Sequence, residues 1–483
     1  MKKNDRQYLF LLAAAAILLL SYLMPEGGLS REAHLVLGIF FASLTMWITI
    51  AIDWPSLITL LLIGFLPTFG FSKTLQSAFG NSTVAFLIFT FMLVYPLSQT
   101  GFVRRCTISF ITNRYARRGP WQFVTFLFTA VTLMGFFISP SVLFVAFMPF
   151  LEDICQVLGI RKGGKTGNML MMGTAFCISM SSGMTPIGHV WPTLAMGYYA
   201  SATGEAINQF QYMAMGIPVG ILLLIALLLI FRFLYRPDDL SAIDPNKAEV
   251  FKDSIEPADR REKIILAAVA LTVFLWIVPG LVKGIWPQFY ATVNAWTTAM
   301  PPLVGCILLF ICRDQGRPIL NFREAASKGV LWGAVLMTAS ATVLGSCLTN
   351  ADIGISDWLS SLMGPVAAAL PVTVLILFFV TWTVLETNFS SNIVTTTVVS
   401  AIALSVLLAF PKGSVSVAAV LCLIGFGAGI CNMTPAGQST INTVAIGSGW
   451  TDTRSMFVWG GIFAIAAILL PSFVGYPLAA MLM

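Results

Sequence analysis

Twelve consecutive residues, Glu386-Thr387-Asn388-Phe389-Ser390-Ser391-Asn392-Ile393-Val394-Thr395-Thr396-Thr397, bring together one carboxyl, two amides and six hydroxyls between apolar runs at 375–380 and 398–404. At membrane depth such groups are expensive unless they line a cavity or bind a ligand. A Ser/Thr-rich helix interface is the competing explanation. Three shorter stretches interrupt apolar sequence in the same way: Ser139-Pro140-Ser141, Ser181 to His189, and Asn432 to Gln438. The second holds one of only two histidines; the other, His34, lies near a helix start and is expected to be structural. Ser181 or Ser182 with His189 would be the pieces of an intramembrane hydrolase. That reading is weak, because no Gly-x-Ser-x-Gly is present and no catalytic carboxylate follows. A phosphate-binding loop is also absent, which argues against a primary pump. The eight cysteines form no C-x-x-C pair and read as small packing residues, neither disulfides nor metal ligands.

The elements that must position these groups are membrane helices. Of 483 residues, 57% are hydrophobic and 10% charged, and the mean hydropathy is +0.87. A soluble chain carries about 25% charged residues. The chain therefore reads as an all-α polytopic membrane protein in a lipid bilayer. Its net charge of +6 is no sign of a nucleic-acid partner until the charges are placed. Apolar segments of spanning length fall at 8–24, 33–51, 54–68, 83–102, 167–200, 208–231, 263–283, 288–312, 329–348, 414–445 and 453–480. The first follows Lys2, Lys3 and Arg6 and lacks a small-x-small cleavage site, so it reads as an uncleaved helix.

Two further apolar regions, 121–158 and 367–411, break at Ser139-Pro140-Ser141 and at the opening stretch. If both are re-entrant hairpins and the N-terminus is cytoplasmic, 23 of the 27 Lys and Arg residues fall inside, leaving Arg31, Lys73, Lys283 and Lys412 outside. That asymmetry is what the positive-inside rule demands, and making either region a simple crossing spoils it. The expectation is eleven transmembrane helices plus two re-entrant hairpins in the inner (cytoplasmic) membrane, with the C-terminus outside. The organisation would be an N-terminal helix (1–32), a first repeat (33–235), a solvated cytoplasmic linker (236–262) and a second repeat (263–483).

The halves carry matching landmarks in one order. The hairpin breaks at 140 and 392, the Thr-Pro motifs at 185 and 434, and the glycines 101 and 354 lie 252, 249 and 253 residues apart. With hairpins opening to opposite sides, this is an inverted repeat, the architecture of secondary transporters with substrate at the midplane. A passive channel would give flux without coupling or exchange, and two opposed hairpin tips argue against it.

The motif Thr387-Asn-Phe-Ser-Ser391-Asn392-Ile-Val-Thr-Thr resembles the Ser-Asn-Thr hairpin motif of the divalent anion/sodium symporter family, whose members carry dicarboxylates, citrate or sulfate. Ser139-Pro140-Ser141 with Met148-Pro149 is similar to the partner motif. Thr185-Pro186-Ile-Gly and Thr434-Pro435-Ala-Gly resemble the two Thr-Pro linkers. The resemblance spans roughly 80 to 480 and implies an elevator-type, homodimeric carrier and no enzyme. Its substrate would be a small organic dianion, a C4-dicarboxylate or a tricarboxylate, with sulfate or sodium-independent exchange as alternatives. Half-helix N-termini would hold the anion without a buried cation, aided by Ser139, Ser141, Thr185, Pro186, His189, Ser391, Asn392, Thr434 and Pro435. The resemblance also places Na+ at Thr387, Ser390, Asn392 and Met433. Pro140 stands where the family has asparagine and removes a side-chain ligand and a backbone donor, so one sodium site is expected instead of two. Ile393 and Met184 depart from the pattern as well. Glu386 reads as a proton carrier or a salt-bridge partner.

Overall fold

The structure is a computed structural model describing all residues except 1–2, 188, 356, 359–360, 362–370, 409, 412 and 435–438. Helices run in the order α1 (Lys3–Leu23), α2 (Arg31–Thr49), α3 (Trp54–Gly64), α4 (Gly70–Phe79), α5 (Ser82–Val94), α6 (Phe102–Ile111), α7 (Pro120–Met134), α8 (Pro140–Val157), α9 (Lys165–Met184), α10 (Val190–Thr203) and α11 (Gln209–Leu229). The second half follows with α12 (Arg260–Leu281), α13 (Pro287–Asn294), α14 (Met300–Ile311), α15 (Phe322–Glu324), α16 (Trp332–Thr349), α17 (Val372–Phe389), α18 (Asn392–Leu407), α19 (Val417–Gly427), α20 (Ser439–Gly447) and α21 (Thr453–Leu470). A π-turn and a last short helix carry the chain to Leu482.

The hairpins are α7–α8 and α17–α18. Each turns where sequence forbids helix: Gly135 to Ser139 before Pro140, and Ser390-Ser391 before Asn392. The flanks of the second hairpin at 362–370 and Lys412 lie outside the described residues. Three pairs of helix starts, Pro120 and Val372, Pro140 and Asn392, Lys165 and Val417, are each separated by 252 residues. The repeat read from motifs is thus a repeat of elements.

The centre is built from the two interrupted helices, α9/α10 and α19/α20. All residues from Met169 to Met184, Val190 to Tyr198 and Ala418 to Gly427 are buried, as expected for helices apolar on every side. They cross where no side chain fits: a Cβ on Gly183 would sit 2.4 Å from the Phe426 carbonyl oxygen, and one on Gly429 3.0 Å from Gly183 N.

Two expectations need correction. The span at 288–312 is not one helix; it divides at Ala295–Ala299, because Pro301 and Pro302 lack N–H groups and suit the first turn of a new helix, α14. The stretch 236–262 is not simply solvated. Asp238 pairs with Lys165 at 3.1 Å, and Asp239 accepts from Thr166 N and Oγ1 at the start of α9. Glu249 meets Arg117 at 2.6 Å below α7, and Phe251 packs on Phe150 of α8 with ring centroids 5.3 Å apart. Glu262, buried at the start of α12, pairs with Arg105 of α6. The charges that made this stretch look like a free loop are its anchors to the base of the first hairpin.

Candidate functional site

The two hairpin tips are held by the two helix interruptions through equivalent bonds. Thr185 Oγ1, after α9, donates to the Phe136 carbonyl at 2.7 Å. Thr434 Oγ1, after α19, donates to the Asn388 carbonyl. Phe136 and Asn388 are 252 residues apart, the repeat offset. A threonine suits this place because its extended backbone ends the helix while its hydroxyl reaches sideways to the neighbouring tip. Both hydroxyls thus point their protons at a tip carbonyl, which makes the pair a clamp on the two tips.

Beyond that shared bond the halves diverge. In the second, Thr387 Oγ1 donates to the Ala428 carbonyl at 2.8 Å. Asn388 Nδ2 donates to the Ile430 carbonyl at 2.9 Å, and its Oδ1 accepts from Met433 N at 2.7 Å. Asn442 Nδ2 spans the carbonyls of Cys431 and Thr434 at 2.9 and 2.7 Å. Asn392 Nδ2 lies 3.3 Å from Cys431 Sγ. Thr387, Asn392 and Met433, three of the four residues expected around sodium, are therefore drawn to one buried seam between the tip and 428–434. Ser390, the fourth, is half-buried as the C-cap of α17.

In the first half Gly135 stands opposite Thr387 and Phe136 opposite Asn388, so hydroxyl and amide are both missing. A Cβ on Gly135 would lie 1.8 Å from Ser181 Oγ, so a larger residue would have to displace that side chain. What ties this tip instead is His189: Nε2 donates to the Gly135 carbonyl at 2.8 Å, with the ring buried and stacked on Trp191 at 5.8 Å between centroids.

Helices α8 and α18 begin at the tips. Their N-caps, Ser139 and Ser391, make no capping bond with their hydroxyls. Ser139 and Ser141 are half-buried and Ser391 is exposed. Those hydroxyls and the unfilled N–H groups of two long helices leave partial positive charge at both tips. The α18 end is the richer, since Asn392 has an N–H and Pro140 has none. Pro186 is buried between Thr185 and His189. Pro435 and Gln438, the counterpart of His189, lie outside the described residues. Glu386, one turn before the tip on α17, is half-buried and meets the Trp382 side chain.

Sequence reasoning missed Asn388 and Asn442, whose amides take up the carbonyls of Ile430, Cys431 and Thr434. Asn388 lay inside the polar stretch, and the offset from Phe136 marked it as an asymmetric position. Asn442 gave no signal, because its partners are carbonyls freed only by the interruption itself. Ser181 and Ser182 donate to carbonyls of their own helix, Ile178 and Ser179, and do not meet His189.

The sequence matches the citrate transporter family over residues 42–418. It is 22% identical over 482 residues to the sodium-dependent dicarboxylate transporter SdcS of Staphylococcus saprophyticus, covering 94% of this chain and 88% of that protein. It is 24% identical over 326 residues to the citrate/succinate antiporter of Escherichia coli K12, covering 66% and 61%. The YdaH transporter of Alcanivorax borkumensis, a solved structure described as having an unusual topology, shares the fold with a TM-score of 0.60 over 99% of this chain and 98% of that one, at 13% identity.

Proposed function

The chain belongs to the citrate transporter family, and from that premise we propose that it is a secondary active carrier of small organic di- and tricarboxylates, coupled to a single Na+. The observation that carries this reading is the pair of threonine clamps, Thr185 on Phe136 and Thr434 on Asn388. They hold two helix N-termini, α8 and α18, at the crossing of two interrupted helices. Opposed positive helix ends suit a dianion at low dielectric without a fixed buried cation. Ser139, Ser141, Ser391 and Asn392 then orient its carboxylates. Thr185 and Thr434 position the tips, and each is followed in sequence by a proline, Pro186 and Pro435, that has no N–H.

Sodium goes to the second tip. Thr387, Ser390, Asn392 and Met433 offer hydroxyl, amide and carbonyl oxygens, the hard donors such a cation takes. The equivalent place in the first half has Gly135 and Pro140, which supply no side-chain oxygen. One cation fits this asymmetry better than two. Alternating access by an elevator movement, a homodimer, and an inner-membrane orientation with the N-terminus cytoplasmic complete the reading. Catalysis is not part of it, since the serines near His189 are bonded to their own helix.

The test is uptake of labelled succinate, citrate and sulfate into proteoliposomes, with and without an inward sodium gradient and with internal carboxylate. Carboxylate uptake driven by the sodium gradient is expected. Uptake that needs internal carboxylate and ignores sodium would make the protein an exchanger, and transport of sulfate alone would overturn the substrate class.

A further inference from the structure

Among the described residues, His189 and Trp191 hold two buried polar atoms that no protein group satisfies: Nδ1 of the imidazole and Nε1 of the indole. The residues are 1% and 8% exposed, and buried polar atoms without partners are rare enough to need a reason. Their rings are stacked with an interplanar angle of 25° at the start of α10, beside the first hairpin tip.

The chemistry of the pair is set by the bond on the other side of the imidazole. Nε2 meets the Gly135 carbonyl, and a carbonyl only accepts, so Nε2 carries the hydrogen. In the neutral ring Nδ1 is then a bare lone pair, an acceptor. Indole Nε1–H is a donor only. An acceptor and a donor thus stand unfilled on adjacent rings. A carboxylate only accepts; it could satisfy Trp191 but would set its charge against the Nδ1 lone pair. A hydroxyl supplies both partners, its hydrogen to Nδ1 and its oxygen to Nε1–H.

We infer that His189 and Trp191 read a hydroxyl group on the carried anion, so that the protein selects hydroxylated polycarboxylates over analogues that differ only in lacking the hydroxyl. This rests on the carboxylate-transport reading and adds to it. The tip bond to Gly135 and the specificity contact use opposite nitrogens of one ring, so the residue that secures the hairpin also fixes which tautomer faces the ligand.

The experiment uses the full chain in proteoliposomes and matched pairs, malate against succinate and citrate against tricarballylate, at a pH where all carboxyls are ionised. The hydroxylated member of each pair is expected to be favoured by about tenfold or more, the effect of one well-made buried hydrogen bond. Trp191→Phe keeps the ring and removes the donor; His189→Gln keeps a donor for Gly135 and changes the acceptor. Both are expected to bring the ratio within each pair toward one, and the ratio is read independently of total uptake. Equal transport within the pairs by the unaltered protein, or a preference for the unhydroxylated member, overturns the inference while leaving carboxylate transport standing. A preference that survives both substitutions overturns it as well. Absence of any carboxylate transport would instead bring down the reading on which it rests.

Discussion

At the scale of single residues, Asn388 shows why the second tip is tied to its neighbouring segment by more side-chain bonds than the first. Its amide joins α17 to both Ile430 and Met433 across the seam, while its counterpart, Phe136, lends only its carbonyl. Asn392 begins α18 beside that seam and is expected to face the anion. Asn392→Ala should abolish uptake with membrane abundance unchanged, measured as transport per folded protein; normal uptake would remove Asn392 from the site. Pro140 is the degenerate equivalent. Pro140→Asn restores both an N–H and an amide, and it should alter the sodium dependence of uptake more than the apparent affinity for the anion. A sodium titration of the variant decides this, and an unchanged curve counts against a one-cation site.

At the scale of elements, caps and ion pairs set how firmly the helices are held. Asp452 caps α21, accepting from Ser455 N at 3.0 Å and Ser455 Oγ at 2.6 Å, and Ser455 Oγ in turn accepts from Asn168 of α9. The Ser455 hydroxyl, then its N–H, hold the Asp452 carboxyl below the usual carboxylate range. A lowered folded pKa means the cap contributes fully above the ordinary carboxylate pKa and is lost as pH falls through the lowered value. Asp452→Ala should cost about 1 kcal/mol. It should also flatten the acid limb of a thermal-melting series, and an unchanged limb would deny the cap that role. Among the described residues, the Arg105–Glu262 pair between α6 and α12 is the least exposed ion pair. Glu262→Ala leaves a half-buried guanidinium unpaired and should destabilise by roughly 3 kcal/mol, read as a lower melting temperature. The Lys165–Asp238 pair, exposed on both sides, should matter far less.

At the scale of the whole molecule, the proposed elevator movement would need a surface along which α10 and its neighbours slide against α5 and α16. The contact is built of small residues. A Cβ on Gly197 would come within 3.0 Å of Thr83 Cγ2, and one on Gly345 within 2.5 Å of the Tyr198 ring. A bulky residue at Gly345 has to displace a fully buried tyrosine. Gly345→Leu should therefore hold the protein in one state, with uptake lost and substrate protection against thermal unfolding retained. Uptake near the normal rate would show that this face does not move.

The sequence by itself determined the class, most of the apolar helices, the two hairpins and their repeat. These depend on bulk properties, the length of apolar runs and the side on which Lys and Arg lie, which one chain carries without reference to its neighbours. It also marked Thr185, Asn392 and Thr434, because prolines and polar residues inside apolar helix are conspicuous in one dimension. Only the tertiary structure decided what those groups do. Whether the Thr185 hydroxyl serves an anion or the Phe136 carbonyl depends on which orphaned backbone group is nearest once two interrupted helices cross. The same holds for Asn442, and for residues 236–262, whose charges became anchors only when Lys165, Arg117 and Arg105 were brought opposite them. Hydrogen-bond partners are chosen by proximity in space, and the interruption of a helix both creates the unpaired carbonyl and hides from the sequence which side chain will meet it.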